Sequence, residues 1–476
     1  MNESTHLNRS TEMKKSILLL LTMILTVSML CAVPAFAEDT GDTNGTDPTG
    51  TTQTYLPQLG TNGKAALAYF GIQEDLVFDV SDTATSGEIN KWLQEAKIDA
   101  TADSPIMVYV GGGTHNLTTT INVPDNVVLV AEDTVLFKRS SAIKMVKLTG
   151  SMYGGTWDGG NYDQNIIQMV NTNTTGKNMT VMKAVIRNTK LDGVHINDSA
   201  VKHGKVLDNK ITNCKHNGVS VYNGGQFDTI SGNTISNIGN TSTKNGSAID
   251  ICSSNVTNIS NNKISIVVGH GISTDPTSSR GKFGCKITNI SGNTIKTVNH
   301  QGIYVEKKCS VSKLNNNKIS NIQGCCLTVD KNAKVYSMSG NKFSGGKLAK
   351  KGKHSLMTLN GKGSYVKMGK KNTLSGGYAA GIALSKSAKL YITGGGNVIT
   401  KNKNNGIQMA PYSVLKITGK TKITYNRWGI NMQKRAKANI KRVTFRYNRK
   451  GAVYYIRGAK FKKSKCSVKG KIYKQK

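Results

Sequence analysis

Gly193-Val-His-Ile196 is the first clear copy of a four-residue motif: a glycine, an apolar residue, a polar residue and a second apolar residue. Similar copies, some with another small residue in first place, are Gly218-Val-Ser-Val221, Ala248-Ile-Asp-Ile251, Gly271-Ile-Ser-Thr274, Gly302-Ile-Tyr-Val305, Cys326-Leu-Thr-Val329, Gly381-Ile-Ala-Leu384, Gly406-Ile-Gln-Met409 and Gly429-Ile-Asn-Met432. A second motif, an asparagine followed two residues later by an apolar residue, recurs at Asn209, Asn233, Asn262, Asn293, Asn317, Asn341, Asn372 and Asn397. Neighbouring asparagines are 24 to 31 residues apart. A period of this length is typical of a solenoid in which each repeat forms one coil.

The four-residue motif predicts short β-strands that bury one face. In its first copy, Val194 and Ile196 alternate with polar residues, which is the two-residue period of a strand. Each repeat holds only two or three such strands, so it can bury its apolar face only by stacking on the next repeat. Asparagine tolerates left-handed turn geometry, and its amide can hydrogen-bond to the same asparagine one coil away. We therefore expect an all-β solenoid with a column of stacked asparagines.

This pairing of a strand with an asparagine turn resembles the repeat of the pectin-lyase-like superfamily over residues 105–460. The resemblance implies an all-β fold, a single-stranded right-handed parallel β-helix of about 10–12 coils with a short N-terminal helical cap. Ile89, Trp92 and Ala96 have the spacing of an amphipathic helix over residues 85–97, with Ser86 as its N-cap. The same fold carries lyases, hydrolases, epimerases and inert fibres, so the fold alone assigns no activity.

Composition divides the chain into a signal peptide at 1–37, a flexible linker at 38–60, an N-terminal helical cap region at 61–104, near-neutral β-helix coils at 105–330, and strongly basic coils with a C-terminal tail at 331–476. The signal peptide is predicted from a basic start, an apolar run and the ending Ala35-Phe-Ala37, with Met13 as an alternative start. We therefore expect a secreted protein, free or associated with the cell wall, with no transmembrane anchor.

Basic residues are concentrated at the C-terminal end. The chain has 64 Lys and Arg against 27 Asp and Glu, and 36 of the basic residues but no acidic residue fall at 331–476. A surface of one charge sign repels itself and attracts counter-ions. We expect an acidic polysaccharide or an anionic cell-wall polymer as the partner, and no nucleic acid, because no nucleic-acid-binding motif is present. The alternative is a basic surface that binds nothing in particular.

Stacking places equivalent residues of successive repeats in one file. The acidic residues Asp275, Glu306 and Asp330 fall in one outward file on three successive coils. Three oxygen ligands on a rigid scaffold would suit Ca²⁺. Two carboxyl groups one coil apart would also match the acid and nucleophile of a retaining glycosidase. The third alternative is that lysines such as Lys307 neutralise these carboxylates in ordinary surface ion pairs.

Two further motifs resemble parts of known catalytic sites. Gly269-His-Gly-Ile-Ser273 is similar to a motif of polygalacturonase-type hydrolases, and Asp192 stands where that family has its first catalytic Asp. The paired Asp of that family is replaced by His216-Asn217, so His270 is more simply a turn residue and the general acid is missing. The segment Asp275-Pro-Thr-Ser-Ser-Arg280 resembles the Asp-Pro-His-Asp motif of mannuronan C5-epimerases but lacks its His and second Asp.

These patterns leave two classes of function open. The first is a lyase, epimerase or hydrolase acting on a uronate polysaccharide, which needs a base and a cationic group beside the substrate carboxylate. The second is a catalytically silent protein that adheres to anionic polymers through its basic C-terminal third. The candidate catalytic residues are Asp275, Glu306, Asp330, His270 and Lys307, and the candidate substrate-binding residues are Asp192, His195, Asp250, Tyr304 and Arg280.

Cysteine spacing leaves the thiol chemistry open. Cys285 and Cys309 occupy the same place in adjacent coils, which brings their Cα atoms within the range of a disulfide. A buried file of free thiols is the alternative. No CxxC or CxxxH pattern supports a zinc site.

Overall fold

Alternating apolar and polar residues form short parallel strands along most of the computed structural model, which describes residues 58–170, 179–197, 201–276 and 284–475. The strands wind into coils, and neighbouring strands in each sheet come from successive coils. Within these residues there are two parallel sheets, a first sheet of 29 strands and a second sheet of 15. The predicted all-β parallel β-helix is confirmed. The predicted signal peptide and linker, up to residue 57, lie outside the described residues.

The strands of the first sheet are Val77–Val80, Ile106–Val110, Thr114–Leu117, Val127–Arg139, Ser151–Asp158, Thr180–Met182, Val185–Thr189, Lys205–Leu207, Lys210–Cys214, Gln226–Ser231, Thr234–Ile238, Asn255–Ser260, Lys263–Val267, Lys286–Ser291, Thr294–Val298, Ser310–Asn315, Lys318–Ile322, Lys334–Ser339, Lys342–Ser344, Tyr365–Met368, Thr373–Ser375, Lys389–Ile392, Asn397–Thr400, Val414–Ile417, Thr421–Thr424, Lys437–Lys441, Val443–Arg446, Lys460–Ser464 and Ser467–Val468. The strands of the second sheet are Ile121–Val123, Val146–Leu148, Ile167–Met169, Val194–Asn197, Val219–Tyr222, Ile249–Cys252, Ile272–Asp275, Ile303–Val305, Leu327–Val329, Met357–Leu359, Ile382–Leu384, Ile407–Met409, Trp428–Met432, Gly451–Tyr455 and Ile472–Lys474. Each middle coil gives two strands to the first sheet and one to the second.

The number of coils exceeds the sequence-based expectation of about 10–12. The second sheet alone has 15 strands among the described residues. Its first strands, such as Ile121–Val123 and Val146–Leu148, and its last strand, Ile472–Lys474, lie outside the stretch that carries the recurrent motif. These terminal coils keep the alternation of the strand but not the glycine that marks each copy, so the motif undercounts them.

Strand register keeps the apolar residues of the motif in file along the core. Val194 pairs with Val219, and Val219 pairs with Ile249 one coil further on. These side chains are fully buried. Burial of such a file removes apolar surface from water in every coil, which stabilises the stack by roughly 25 cal/mol for each Å² buried.

The recurrent asparagines form a buried hydrogen-bonded ladder, as predicted. Each side-chain amide from Asn209 to Asn372 donates to the Oδ1 atom of the next asparagine over 2.9–3.0 Å. The predicted left-handed geometry, however, falls on the residue before each ladder asparagine. Those residues are Asp208, Gly232, Asn261, Gly292, Asn316, Gly340, Lys371 and Gly396, all with positive φ. The ladder asparagine itself suits the stack because its Nδ2 group donates to one neighbouring coil while its Oδ1 atom accepts from the other.

Two helices lie at the N-terminal end of the coils. Helix α1 (Thr61–Phe70) packs on outward side chains of the first sheet such as Met107 and Val128, and α2 (Ser86–Asp99) packs on the end of the core, as the resemblance implied. A third helix, α3 (Lys347–Gly352), lies in a later turn. Helix α2 begins with a capping box in which Thr85 is the N-cap and pairs with Glu88, so the prediction of Ser86 as the cap was wrong by one residue. Trp92 packs against the core with its ring 5.6 Å from that of Phe78. No helix among the described residues is long and apolar enough to span a membrane.

Seven cysteines fall within the described residues, and Cys285 and Cys309 among them are free thiols. Six of the seven are buried. Cys285 and Cys309 lie on adjacent coils, with the Cys285 backbone N 3.3 Å from the Cys309 Sγ. Of the two alternatives left open by the sequence, the structure therefore has the inward pair of free thiols rather than the disulfide.

Candidate active site on the second sheet

Strand register places one file of polar residues on the outward face of the second sheet. His195 pairs with Ser220, Ser220 with Asp250, Asp250 with Ser273, and Ser273 with Tyr304. The residues on either side of each are buried in the core, because successive side chains of a strand point to opposite faces. Consecutive members of this file are about one strand spacing, roughly 4.8 Å, apart.

Asp192 is the centre of a buried cluster at the N-terminal end of this face. Its two oxygens lie 2.8 Å from the Nδ1 atom of His195 and 2.6 Å from that of His216. The same carboxylate accepts hydrogen bonds from the Asn217 backbone N–H at 2.9 Å and the Ser220 hydroxyl at 2.6 Å. Burial raises the pKa of Asp192, but the hydrogen bonds and charges of the two histidines outweigh it and hold this pKa well below its usual range. The hydrogen bond to Asp192 also raises the pKa of His216.

Tyr222 connects this cluster to the next acidic residue of the face. Its hydroxyl donates to Asp250 Oδ2 over 2.8 Å, and its ring lies 5.6 Å from that of His195. The Ser273 hydroxyl donates to the other oxygen of Asp250. Burial raises the pKa of Asp250, these two hydrogen bonds lower it, and the charges of other carboxylates raise it again, so the net shift is upward.

Asp275, Glu306 and Asp330 are neighbours on the outward face, as the file predicted. The strand that ends at Asp275 pairs with the strand that Glu306 follows, and the Glu306 N–H donates to Thr274 Oγ1 over 2.9 Å. The Asp330 N–H donates to the Val305 carbonyl one coil before it, over 2.9 Å. All three carboxyl side chains are partly exposed, and none points into the core. The three carboxyl groups therefore share one face, and their role as a site stays a prediction.

Glu306 has the most informative electrostatics of the three. Burial raises its pKa first, and the charge of Asp275 raises it further. A hydrogen bond from Tyr304 lowers it, and the more distant charges of Asp330 and Asp250 raise it again. The pKa of Glu306 is thereby raised to about 7. A carboxyl group in this state holds a proton near neutral pH, as a general acid must.

Tyr304 contacts both Asp330 and His270 on this face. The Tyr304 hydroxyl lies 3.4 Å from Asp330 Oδ2, and its ring lies 5.1 Å from that of His270. Burial raises the pKa of Tyr304, and the Glu306 and Asp330 charges add to the effect. Burial, helped by the charge of His300, lowers the pKa of His270 to about 4. His270 is therefore neutral at pH 7, with its Nδ1 atom accepting from the Gln301 N–H at 3.2 Å, which fits a turn residue better than an acid.

Lys307 is the remaining predicted residue that the structure describes. Lys307 is exposed and forms no ion pair within the described part of the chain. Arg280 lies outside the described residues. Across residues 58–170, 179–197, 201–276 and 284–475, no group of three or more His, Cys, Asp or Glu side chains is arranged to hold a metal ion. The calcium site predicted from Asp275, Glu306 and Asp330 thus gains no support from their geometry.

Four residues belong to the face although the sequence did not single them out as site residues: His216, Ser220, Tyr222 and Ser273. Ser220 and Ser273 stand in the same file as His195 and Asp250, so register alone could have found them. Tyr222 stands beside them in the adjoining file. His216 has no such signal, because it precedes the strand and reaches Asp192 only through the turn geometry of two coils.

The arrangement can move a proton and stabilise a positive centre. Glu306 carries a proton near neutral pH, while the carboxylates of neighbouring coils supply negative charge beside it. A proton-bearing carboxyl group beside a carboxylate is the arrangement with which many enzymes break a glycosidic bond.

Comparison with known proteins agrees with the fold. Residues 165–343 match the family described as Right handed beta helix region. Among curated proteins, none matches the sequence significantly.

Several solved structures resemble the fold at low identity. The A-module of the Azotobacter vinelandii mannuronan C-5 epimerase AlgE6 is 13% identical, with a TM-score of 0.31, over 86% of this chain and 97% of that one. Tailspike protein 3 of bacteriophage CBA120 is 10% identical, with a TM-score of 0.37, over 88% and 66% of the two chains. The catalytic domain of a GH87 alpha-1,3-glucanase is 11% identical, with a TM-score of 0.27, over 80% and 66%.

Strands of successive coils pair in parallel along both sheets. The family match covers residues 165–343, in the central part of the chain. The chain is a right-handed parallel β-helix protein.

Proposed function

We propose that the protein binds a polysaccharide across the outward face of the second sheet and hydrolyses it there, with Glu306 as the general acid. The observation that carries the proposal is the pKa of about 7 at Glu306, produced by burial and by Asp275 beside it. General acid catalysis by a positioned carboxyl group contributes about 10²–10⁴-fold to a rate.

The spacing of the coils favours a retaining reaction. Adjacent coils are about 4.8 Å apart, and retaining glycosidases hold their two carboxyl groups about 5–5.5 Å apart. Glu306 donates its proton to the glycosidic oxygen while the Asp275 carboxylate attacks the anomeric carbon, and the bond to the leaving sugar breaks. Water, deprotonated by the Glu306 carboxylate, then cleaves the glycosyl ester and restores both groups.

The charge of the site favours a neutral sugar at the point of cleavage. The charges of Asp275, Asp330 and Asp250 all raise the pKa of Glu306, so the electrostatic potential at this carboxyl group is negative. A uronate carboxylate placed there would meet the same repulsion, which weakens the alternative of a uronate lyase or epimerase.

We propose that the protein acts outside the cell, as its predicted signal peptide implies. Recovery of the protein from the culture medium tests this location.

The experiment incubates the purified protein with neutral glucans and mannans, and in parallel with polygalacturonate and alginate. Reducing ends, the anomeric configuration of the first product and unsaturated products are followed. Glu306→Gln is expected to lower turnover about 100-fold or more, because it removes the acid proton. The matched control Glu95→Gln, on the exposed side of α2, is expected to keep it. Wild-type turnover in Glu306→Gln, or no reducing ends from any neutral glycan, contradicts the proposal.

A second candidate function is adhesion to anionic polymers. The observation that favours it is the 36 basic residues at 331–476 with no acidic residue among them. This charge would hold a polyanion without any catalysis on the second sheet. Retention of the protein on immobilised polygalacturonate, released by salt, tests it, and retention that does not respond to salt contradicts it.

A further inference from the structure

A cleft of about 530 Å³ lies on the first sheet, within the basic part of the chain. Its floor is a file of outward residues on four successive coils, in which Val398 pairs with Lys422, Lys422 with Thr444, and Thr444 with Ser467. This sheet is not the one that carries Glu306, so the cleft is separate from the candidate active site.

Four cationic side chains line this cleft: Lys420, Lys422, Arg442 and Lys465. Three of them stand at the same corner of successive coils. The Thr421 N–H donates to the Arg442 carbonyl at 3.2 Å, and the Arg442 N–H donates to the Ser464 carbonyl at 3.3 Å. Cations one coil apart form a row along the solenoid axis with a spacing of about 4.8 Å.

No acidic side chain within the cleft's part of the sequence can neutralise this row, because residues 331–476 contain no Asp or Glu. All four cations are exposed. Like charges at this spacing repel one another, and an anion bound among them relieves the repulsion. Val398, which is partly exposed, adds apolar surface between the charges.

We propose that this cleft binds a segment of an anionic polysaccharide, with the acid groups of consecutive sugars on the row of cations and the sugar rings over the floor of the cleft. An extended chain with one acid group per sugar presents its charges in a line, as the row of cations does. The inference rests on the second function proposed above, adhesion to anionic polymers, and gives that adhesion a defined place.

The test compares two variants of the full chain that lose the same charge. The cleft variant carries Lys420→Gln, Lys422→Gln, Arg442→Gln and Lys465→Gln. The control variant carries Lys334→Gln, Lys367→Gln, Lys389→Gln and Arg457→Gln, all exposed positions of the basic part that do not line the cleft. Circular dichroism and thermal unfolding first establish that both variants fold like the wild type.

Binding of short oligogalacturonates, neutral dextran oligosaccharides and single-stranded DNA oligonucleotides is then measured by calorimetry near physiological ionic strength. The cleft variant is expected to bind oligogalacturonate about tenfold more weakly than the wild type, and the control variant within about twofold, because a nearby charge acts more strongly than a screened distant one. Equal losses of affinity for oligogalacturonate in the two variants overturn the cleft as the binding site. They leave adhesion through the basic surface as a whole. DNA binding that depends on the cleft as strongly as oligogalacturonate binding overturns the choice of a polysaccharide. No binding of oligogalacturonate by the wild type overturns the adhesion function and the cleft together.

Discussion

Asp192 and Glu306 show how one face can hold two carboxyl groups in opposite states. Both are removed from water to a large extent, which by itself favours the neutral form. Asp192 meets four hydrogen-bond donors, and its pKa is lowered. Glu306 meets other carboxylates, and its pKa is raised to about 7. Asp192 therefore organises the face as a fixed anion, while Glu306 is available to exchange a proton.

Replacing Asp192 by Asn is expected to destabilise the protein by about 2–4 kcal/mol at pH 7, because a buried set of donors loses its charged acceptor. The loss is read from urea unfolding of Asp192→Asn against the wild type. Asp228→Asn is the control, since Asp228 is partly exposed and faces only His203 at 3.3 Å. An equal effect of the two substitutions would show that the hydrogen bonds to Asp192 do not stabilise the fold.

Glu306→Gln is expected to change the pH dependence of stability. The pKa of Glu306 is raised in the folded protein, so the folded state binds the proton more tightly than the unfolded state. The stability that this bound proton contributes is fully present below the pKa of the unfolded state, near 4.5. It is lost as the pH rises through the folded-state pKa of about 7. At pH 8 the ionised Glu306 is repelled by the nearby carboxylates and a neutral Gln is not. The variant should therefore be more stable to unfolding than the wild type by on the order of 1 kcal/mol at pH 8, after allowance for solvent screening, and should show no such difference at pH 4. A stability difference that is the same at both pH values would rule out the shifted proton.

The outward files of this site could be predicted from the sequence, and the side-chain contacts could not. Asp275, Glu306 and Asp330 follow from the repeat, because register alone makes them neighbours. The cluster around Asp192 depends on how His216 leaves its turn, which no periodicity encodes. The preference between metal binding and proton transfer likewise depends on distances that the repeat does not fix.

At the scale of the element, each coil is held to the next by its asparagine. Asn293 is fully buried, and its amide donates to the Ile259 carbonyl at 2.9 Å and to Asn317 Oδ1 at 3.0 Å. Its own Oδ1 accepts from both the backbone and the side chain of Asn262. One side chain therefore satisfies polar groups in three successive coils.

Asn293→Ala is expected to cost about 2–4 kcal/mol, because it leaves several buried donors and acceptors without partners. Chemical unfolding measures the loss. The exposed Asn299 gives the control, since Asn299→Ala should stay within about 0.5 kcal/mol of the wild type. A loss at Asn293 no larger than at Asn299 would mean that backbone pairing alone holds the coils together.

The elements of this fold were more predictable than their boundaries. Alternation and the asparagine column fixed the strands and their stacking, because both properties repeat in every coil. The prediction put the left-handed φ on the ladder asparagine, but the residue before it has that φ. Asn and Gly both suit a left-handed φ, so the recurrent asparagine was the more obvious candidate. The number of coils was underestimated because the terminal coils lack the glycine motif.

At the scale of the whole molecule, charge is separated along the solenoid axis. The acidic cluster lies on coils before residue 331, and all residues beyond it are neutral or basic. Affinity for polygalacturonate should therefore fall steeply with ionic strength, by about tenfold or more between 50 mM and 500 mM salt, because the attraction is screened. Affinity for neutral dextran is the control and should not change. A salt-insensitive affinity for polygalacturonate would exclude the basic part as its binding surface.

The central claim is that burial raises the pKa of Glu306, that Asp275 and Asp330, placed beside it by the stacking of coils, raise it further, and that Glu306 therefore holds a proton near neutral pH. The chain has only eight Glu residues, so labelling their side-chain carboxyl carbons with ¹³C gives a small set of NMR signals, and Glu306→Gln assigns one of them. Titration should show that signal with a midpoint near pH 7. A midpoint near the ordinary glutamate value of about 4.3 would contradict the account.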